Sequence, residues 1–424
     1  MIQRNSEFQK ILYELIKYII EQNPNAVYYI QEMIYEGKYG RRLPRENGEV
    51  PAHDGNVNDV RVSYDGSMIA SASVDKTVKV WRKQKDDIFL PTSWKIIENL
   101  QIKHDSPVWA VNFSYDGELI ASGDADGIIK IKSINGNSVD ITIMPEADDE
   151  EQIALKLMFS PDSKLITSAN WDNRVRLWQL LDDNRHEFIE IGQHDPKVYG
   201  VCFSHDGTKI ASAGGNSEIK IWNVADKKFL KSLVDKSENL EDTENAVYDV
   251  KFSSNGQMIG AAYKDKRVRI WDITTEQVIK NCLHKDAVFG VSFNADANML
   301  VSGSKDGFVR VWSTTNPDYE NSQPIAEFWH GVQINSVSFS YDGKFIASGG
   351  DDKNVRIWDT IHMGESKEAL IERLSTDAYD YLISMKGLAI IDILNNVLDN
   401  SPNKILGVKM KDTVSDFIDL FKNL

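Results

Sequence analysis

Cysteine is almost absent from this chain: Cys202 and Cys282 are the only two in 424 residues. Two thiols cannot form a disulfide framework, so the fold has to stand on its own core. Cys202 falls in a strand of alternating apolar residues and reads as a small core residue rather than a reactive thiol. Long apolar runs are lacking too. Charge interrupts every one within about a dozen residues, short of the ~20 that a membrane helix needs. No leader peptide is visible at the N-terminus. The expectation is an intracellular chain, cytoplasmic with the nucleus also open, and no membrane partner. Positive charge is in deficit, with 48 Lys and Arg against 64 Asp and Glu and a net charge of −16. That balance disfavours holding nucleic acid by bulk electrostatics. Enzyme signatures are missing as well: there is no GxxxxGK(S/T) phosphate loop, no CxxC or HExxH metal spacing and no isolated acid–base pair. No cofactor, metal or catalytic residue is expected.

What the chain does contain is repetition. The stretch from His330 to Trp358 predicts three short strands, Ile334 to Ser340, Phe345 to Ser348 and Val355 to Trp358. Asp342-Gly343 and Asp352-Lys353-Asn354 supply the turns. Equivalent pieces begin at His53, His104, Glu150, His194, Thr243 and His284. They close at Trp81, Lys132, Trp178, Trp222, Trp271 and Trp312. From His53 to Asp75, and again from His104 to Asp126, His284 to Asp306 and His330 to Asp352, the interval is 22 residues. A fixed interval means hairpins of fixed length, and the variable inserts follow the closing position. A period of this length marks a propeller or solenoid.

The repeats resemble the WD40 family over roughly residues 53 to 374. The resemblance implies an all-β, seven-bladed β-propeller with four antiparallel strands per blade. It also implies a structural hydrogen-bonded set in each repeat. These sets are His53, Ser71, Asp75 and Trp81 in the first copy, and His284, Ser302, Asp306 and Trp312 in the sixth. The seventh has His330, Ser348, Asp352 and Trp358. The second has His104, Ser122 and Asp126 with Lys132 for Trp, and the third has Glu150 for His beside Ser168, Asp172 and Trp178. The fourth has Asn216 for Asp beside His194, Ser212 and Trp222, and the fifth keeps only Asp265 and Trp271, with Thr243 and Ala261 in the other places. Recurring Ser, His and Asp invite a nucleophilic reading, but one active site needs one exposed Ser, not many copies. A structural role is expected.

Small α-helical extensions are predicted at both termini. Phe8, Ile11, Leu12, Leu15, Ile19 and Ile20 form one apolar stripe, and the hairpin over 1–37 resembles the LisH dimerisation motif. A hairpin packed on the propeller's own flank is the other reading. Residues 38–52 read as a basic extended linker. Residues 375–424 carry further helical spacing, cleanest at Val414, Phe417, Ile418 and Phe421. The two ends are expected to form one helical module, with oligomerisation through it left open. For the outer strand of the last blade, Glu368 to Leu374 is preferred over Glu46 to Ala52, which Gly48 and Pro51 interrupt. Acidic runs at Glu146 to Glu151 and Glu238 to Glu244 read as solvated loops.

Propellers of this family resemble interaction platforms, which implies function on the rim where the first strand of each blade begins. The residue five after each repeat start is Asn58, Trp109, Leu155, Tyr199, Tyr248, Phe289 and Asn335. The residue before the turn Asp adds Trp171, Lys264 and Lys305. Trp109, Trp171, Tyr199, Tyr248 and Phe289 therefore form an expected aromatic arc, flanked by Lys264 and Lys305, for a peptide or protein segment. The leading expectation is a non-catalytic scaffold that assembles a multiprotein complex. The alternative is an RNA reader stacking bases on the same rings. Packing at the channel mouth is the bland reading of the same residues.

Overall fold

The computed structural model describes residues 13–14, 16–17, 41–42, 52–84, 94–136, 139–144, 153–181, 185–235, 245–315, 323–360 and 372. The chain divides into two compact units, Gly37–Met363 and a second made of Met1–Glu36 with Gly364–Leu424. In the second unit, Tyr13, Glu14, Ile16, Lys17 and Glu372 are helical, and the rest of the expected terminal helices lies outside the described residues. The acidic runs also lie outside them.

The first unit is a ring of seven antiparallel sheets. The strands of each blade are lettered a to d here, from the ring's centre outward. Strands a are Val57–Val62, Val108–Phe113, Ala154–Phe159, Val198–Phe203, Val247–Phe252, Val288–Phe293 and Ile334–Phe339. Each meets its two neighbours around the ring. From Asp59 onward alternation builds the strand: Val60 and Val62 pack into the apolar layer between blades, while Asp59 and Arg61 face the channel. The hydrophobic core is accordingly not one mass but a set of wedges between adjacent blades. In one of them Val57, Val60, Ile69 and Trp81 of the first blade pack on Phe345, Ala347, Val355 and Ile357 of the seventh.

Local turn chemistry fixes the hairpins. In the seventh blade strand b runs Phe345–Gly350 and strand c Val355–Asp359, slightly longer than the sequence suggests. Gly343 sits at φ 69°, where a Cβ would be strained, and Asp342 Oδ1 accepts the Ser340 hydroxyl at 2.8 Å and the Lys344 N–H at 3.2 Å. Ser-x-Asp pairs repeat this at Ser63/Asp65, Ser114/Asp116 and Ser204/Asp206.

Ring closure differs from the expectation. Arg41–Arg42 is strand d of the seventh blade, antiparallel to strand c, with Arg41 opposite Ile357 and Arg42 opposite Arg356. The pair therefore belongs to the propeller, not to a linker. Glu372, inside the segment favoured from sequence, is helical. An outer strand pairs through its backbone, so it needs no apolar alternation, and two consecutive arginines carry no strand signal of their own.

Close approach sets another requirement. A methyl on Gly200 would lie 2.9 Å from the Asp249 Cα and 3.1 Å from the Val250 nitrogen, both backbone atoms of the next blade. Gly200→Ala is expected to cost about 1–3 kcal/mol by forcing these strands apart. A urea midpoint equal to the wild type would sink that expectation.

Candidate functional site

The His–Ser–Asp–Trp sets are closed to substrate. Ser71, Ser122, Ser302 and Ser348 are fully buried. His53 Nδ1 meets Asp75 at 2.8 Å and its Nε2 meets Ser71 at 2.7 Å, with the Trp81 indole edge-on to the imidazole. His284 repeats this with Asp306 at 3.3 Å and Ser302 at 2.7 Å, and Trp312 Nε1 donates to the same hydroxyl at 2.7 Å. Trp358 likewise donates to Ser348 at 2.7 Å, while His330 Nδ1 lies 3.7 Å from Asp352. In the first and sixth blades this buried chain of hydrogen bonds ties strand b and the b–c turn to the entry of strand a.

Three sets differ from the sequence expectation. In the second blade His104 Nδ1 meets Asp124 at 2.8 Å, not Asp126, which instead accepts the Ser106 hydroxyl at 2.6 Å. Asp124 ends its strand and also receives the turn N–H of Asp126 and of Ile128, so the earlier carboxylate fits both jobs. In the third blade Asp172 pairs with Arg176, and Glu150 lies outside the described residues. In the fifth blade, where Ala261 replaces Ser, Trp271 Nε1 donates to Tyr263 at 3.2 Å, and Arg269 stacks on that ring while bridging Asp235 and Asp265.

The fourth set carries a pH signature. Asn216 stands where other copies have Asp, and among the described residues His194 Nδ1 has no hydrogen-bond partner, although Nε2 meets Ser212 at 2.7 Å. Burial, assisted by Lys220, pushes the His194 imidazole down to about 3. An unfolded His binds its proton below about 6.5, whereas the folded one resists to about 3, so acid favours unfolding across that window. The expected loss approaches 1.4 kcal/mol per pH unit from this group, on the order of one proton's linkage. Urea midpoints from pH 7 down to about 4 should fall less steeply in His194→Gln than in wild type; equal slopes would refute it.

At the mouth where strands a begin, the seven blades share one irregularity. The register between strands a and b shifts around Asn58, Trp109, Leu155, Tyr199, Tyr248, Phe289 and Asn335, leaving each as an extra, unpaired residue. Such a bulge re-aims a side chain out of the ladder. Trp109, Tyr199, Tyr248 and Phe289 are half-buried there, as is Trp171 in its b–c turn, and Lys264 and Lys305 are exposed. Tyr199 and Tyr248 meet edge to face at 5.3 Å, and Tyr248 and Phe289 lie 5.0 Å apart. The structure thus joins three of the five arc residues in one contiguous surface. Burial and the neighbouring Tyr248 push the Tyr199 phenol up, so it stays a neutral donor.

Trp171 is separate from that trio and has a partner that sequence reasoning missed: Lys197 Nζ lies 3.6 Å from its ring centroid. The only signal for Lys197 was its place three residues after His194. The Trp171 indole N–H is buried, and no acceptor meets it among the described residues. The first and seventh blades are different. There Asn56 and Asn335 both donate to Asp351 at 2.9 Å, closing that sector with its own hydrogen bonds.

A second constellation lines the channel itself. Asp59 is fully buried, and its carboxylate gathers Lys156 at 2.9 Å, Ser336 at 2.7 Å, Arg61 at 3.3 Å and the Val111 N–H at 3.1 Å. Asp249 pairs with Lys251 at 2.7 Å and accepts the Val291 N–H at 3.2 Å. Cys202 lies in the same channel, its thiol pushed up to about 12 by burial, and neither cysteine forms a disulfide. Among the described residues no cluster of His, Cys, Asp and Glu could hold a metal ion, and no helix is long and apolar enough to cross a membrane.

The comparisons with known proteins fit this geometry. The model of the WD domain, G-beta repeat, matches seven times, at residues 45–82, 96–131, 150–179, 187–223, 236–272, 277–313 and 322–359. The chain belongs to the WD40 family. Each match begins before strand a and ends in or just after strand c, so a WD40 repeat is out of step with the blade it helps build. Among solved structures, the WD40 β-propeller domain of Doa1 is similar with a TM-score of 0.58 at 21% identity, over 73% of this chain and 95% of that one. At that identity the likeness concerns the fold. A subunit of chromatin assembly factor 1 from Mus musculus is 27% identical over 38% of this chain and 30% of its own length. The WD repeat and SOCS box-containing protein 1 of Homo sapiens is 31% identical over 26% of each. The matched part thus spans under a third of either relative.

Proposed function

We propose that this WD40 propeller is a non-catalytic intracellular scaffold that binds a peptide or protein segment on the aromatic sector of its rim. The observation that carries this reading is the contiguous Tyr199–Tyr248–Phe289 surface, built on bulge residues that the sheets leave unpaired. Strand pairing asks nothing of these side chains, and half-buried aromatics at a mouth are the material of binding hot spots. Trp171 adds a ring capped by Lys197 and an indole donor that a partner's carbonyl or carboxylate would satisfy. Lys264 and Lys305 give the sector positive charge within a chain of net charge −16, which favours an acidic segment. The name of the mouse relative, which makes it part of an assembly factor, accords with a role in a complex.

Affinity capture from native cell extract compares wild type with the triple variant Trp109→Ala/Trp171→Ala/Tyr248→Ala. The variant is expected to keep its circular dichroism and lose captured partners at least about tenfold. A folded variant that recovers the same proteins would overturn the reading. If only a chain ending at Leu374 loses them, the terminal unit is the interaction module. RNA captured by wild type and lost in the variant would favour the nucleic-acid reading instead.

A further inference from the structure

The channel is not neutral. Among its described residues Arg61, Lys156 and Lys251 face only two carboxylates, Asp59 and Asp249, so one positive charge is in excess. Asp59 is shared between Lys156 at 2.9 Å and Arg61 at 3.3 Å, which leaves Arg61 the less compensated cation. A buried charge without a full counter-charge is expensive, and an anion is the direct remedy.

The structure has room for one. Beyond the Asp59 layer lies a cavity of about 140 Å³ whose lining includes Arg61, Lys251, Asn112, Ser292 and Ser338. All five occupy one register position, one per blade. At that position Asn112 accepts the Phe159 N–H at 3.1 Å, Ser292 the Phe339 N–H at 3.2 Å and Ser338 the Val62 N–H at 3.2 Å. Arg and Lys have no acceptor and cannot play that part. These two blades therefore give up an inter-blade hydrogen bond and put charged donors against the cavity in exchange. Its other wall is aromatic: Tyr64 stacks on Tyr115 at 3.6 Å, and His205 lies parallel to Tyr341 at 6.4 Å.

We propose that this cavity binds a small oxyanion of the phosphate class, held by the Arg61 guanidinium and the Lys251 ammonium, at the opposite end of the channel from the aromatic rim. The planar fork of Arg61 suits two oxygens, and Lys251 supplies a point charge. Burial raises the Tyr64 and Tyr115 phenols, so these rings bring no negative charge to compete with the anion. Two sources share this chemistry, free phosphate and the phosphoryl group of a small aromatic ester, for which the Tyr64 and Tyr115 rings offer a stacking wall.

The test uses the full chain with inorganic phosphate and with phenyl phosphate, at ionic strength matched by chloride. Phosphate is expected to raise the thermal midpoint of wild type and to broaden its own phosphorus resonance. Arg61→Gln should weaken binding about tenfold or more, the loss of one charge-assisted contact. Lys251→Gln provides a second variant should the first fold poorly, and the phosphorus linewidth on wild-type protein needs no variant at all. Tighter binding of phenyl phosphate would assign the site to a phosphorylated small molecule, equal or weaker binding to the free ion; both uphold it. No linewidth change and no phosphate-specific midpoint shift in wild type, or an unchanged response in folded Arg61→Gln and Lys251→Gln, would overturn it.

Discussion

Asp59→Ala is expected to lower the unfolding free energy by about 3–5 kcal/mol, the range for stripping one partner from a buried ionic network. The reason lies in what Asp59 joins. Its carboxylate belongs to the first blade, and its partners are the Val111 N–H of the second, Lys156 of the third and Ser336 of the seventh. Removing it leaves Lys156 and Arg61 buried with no compensating charge from that side and frees a backbone donor as well. Burial by itself would raise this carboxyl, but Arg61 and Lys156, with the Ser336 hydrogen bond, hold it below the usual carboxylate range. Its contribution is therefore present above the ordinary unfolded value, near 4, and is lost only as pH falls through the lower folded value. Urea unfolding at pH 7 should show the full loss in the variant, and a change under about 1 kcal/mol would mean the network is worth little there.

Trp312→Ala is the second large effect, again about 3–5 kcal/mol. The ring is 1% exposed, it donates to Ser302 at 2.7 Å, and it packs 5.7 Å from the His284 imidazole. Lys132 offers the control, since it holds the same register position in the second blade. Its side chain is 35% exposed and reaches Asp140 only at 3.7 Å. Lys132→Ala should stay within about 0.5 kcal/mol of wild type. Parallel thermal melts decide the matter: similar shifts in both variants would mean that the closing position is not what stabilises a blade.

The ring was legible in the sequence because its constraints are local and repeated. A hairpin of fixed length keeps His53 and Asp75 in step, and Ser-x-Asp-Gly turns write themselves into the chain at the a–b corners of the first, second, fourth and seventh blades. The fixed distance from each repeat start also located the rim residues. That they are bulges was not visible, because a bulge is a relation between two strands, and only one strand is written at a time. Asp124 was passed over for the same reason. Two aspartates stand two residues apart, and only hydrogen-bond geometry chooses between them. The channel charges were the least legible. Asp59 and Lys156 are 97 residues apart, so the sequence shows a buried anion and a buried cation with nothing to say they meet.

The Arg41–Arg42 strand has a consequence for how the molecule comes into being. Ile357 follows its partner Arg41 by 316 residues (357 less 41). At roughly 5–20 residues per second on a ribosome, the first-made edge waits on the order of 15–60 seconds for the last-made one. Through that interval the growing chain is an arc, with the apolar flank of its first blade, Val57, Val60 and Trp81, awaiting Phe345 and Ile357. Birth order thus makes the seam between first and last blades the final joint to set, and the place where a nascent chain most needs shelter from its neighbours.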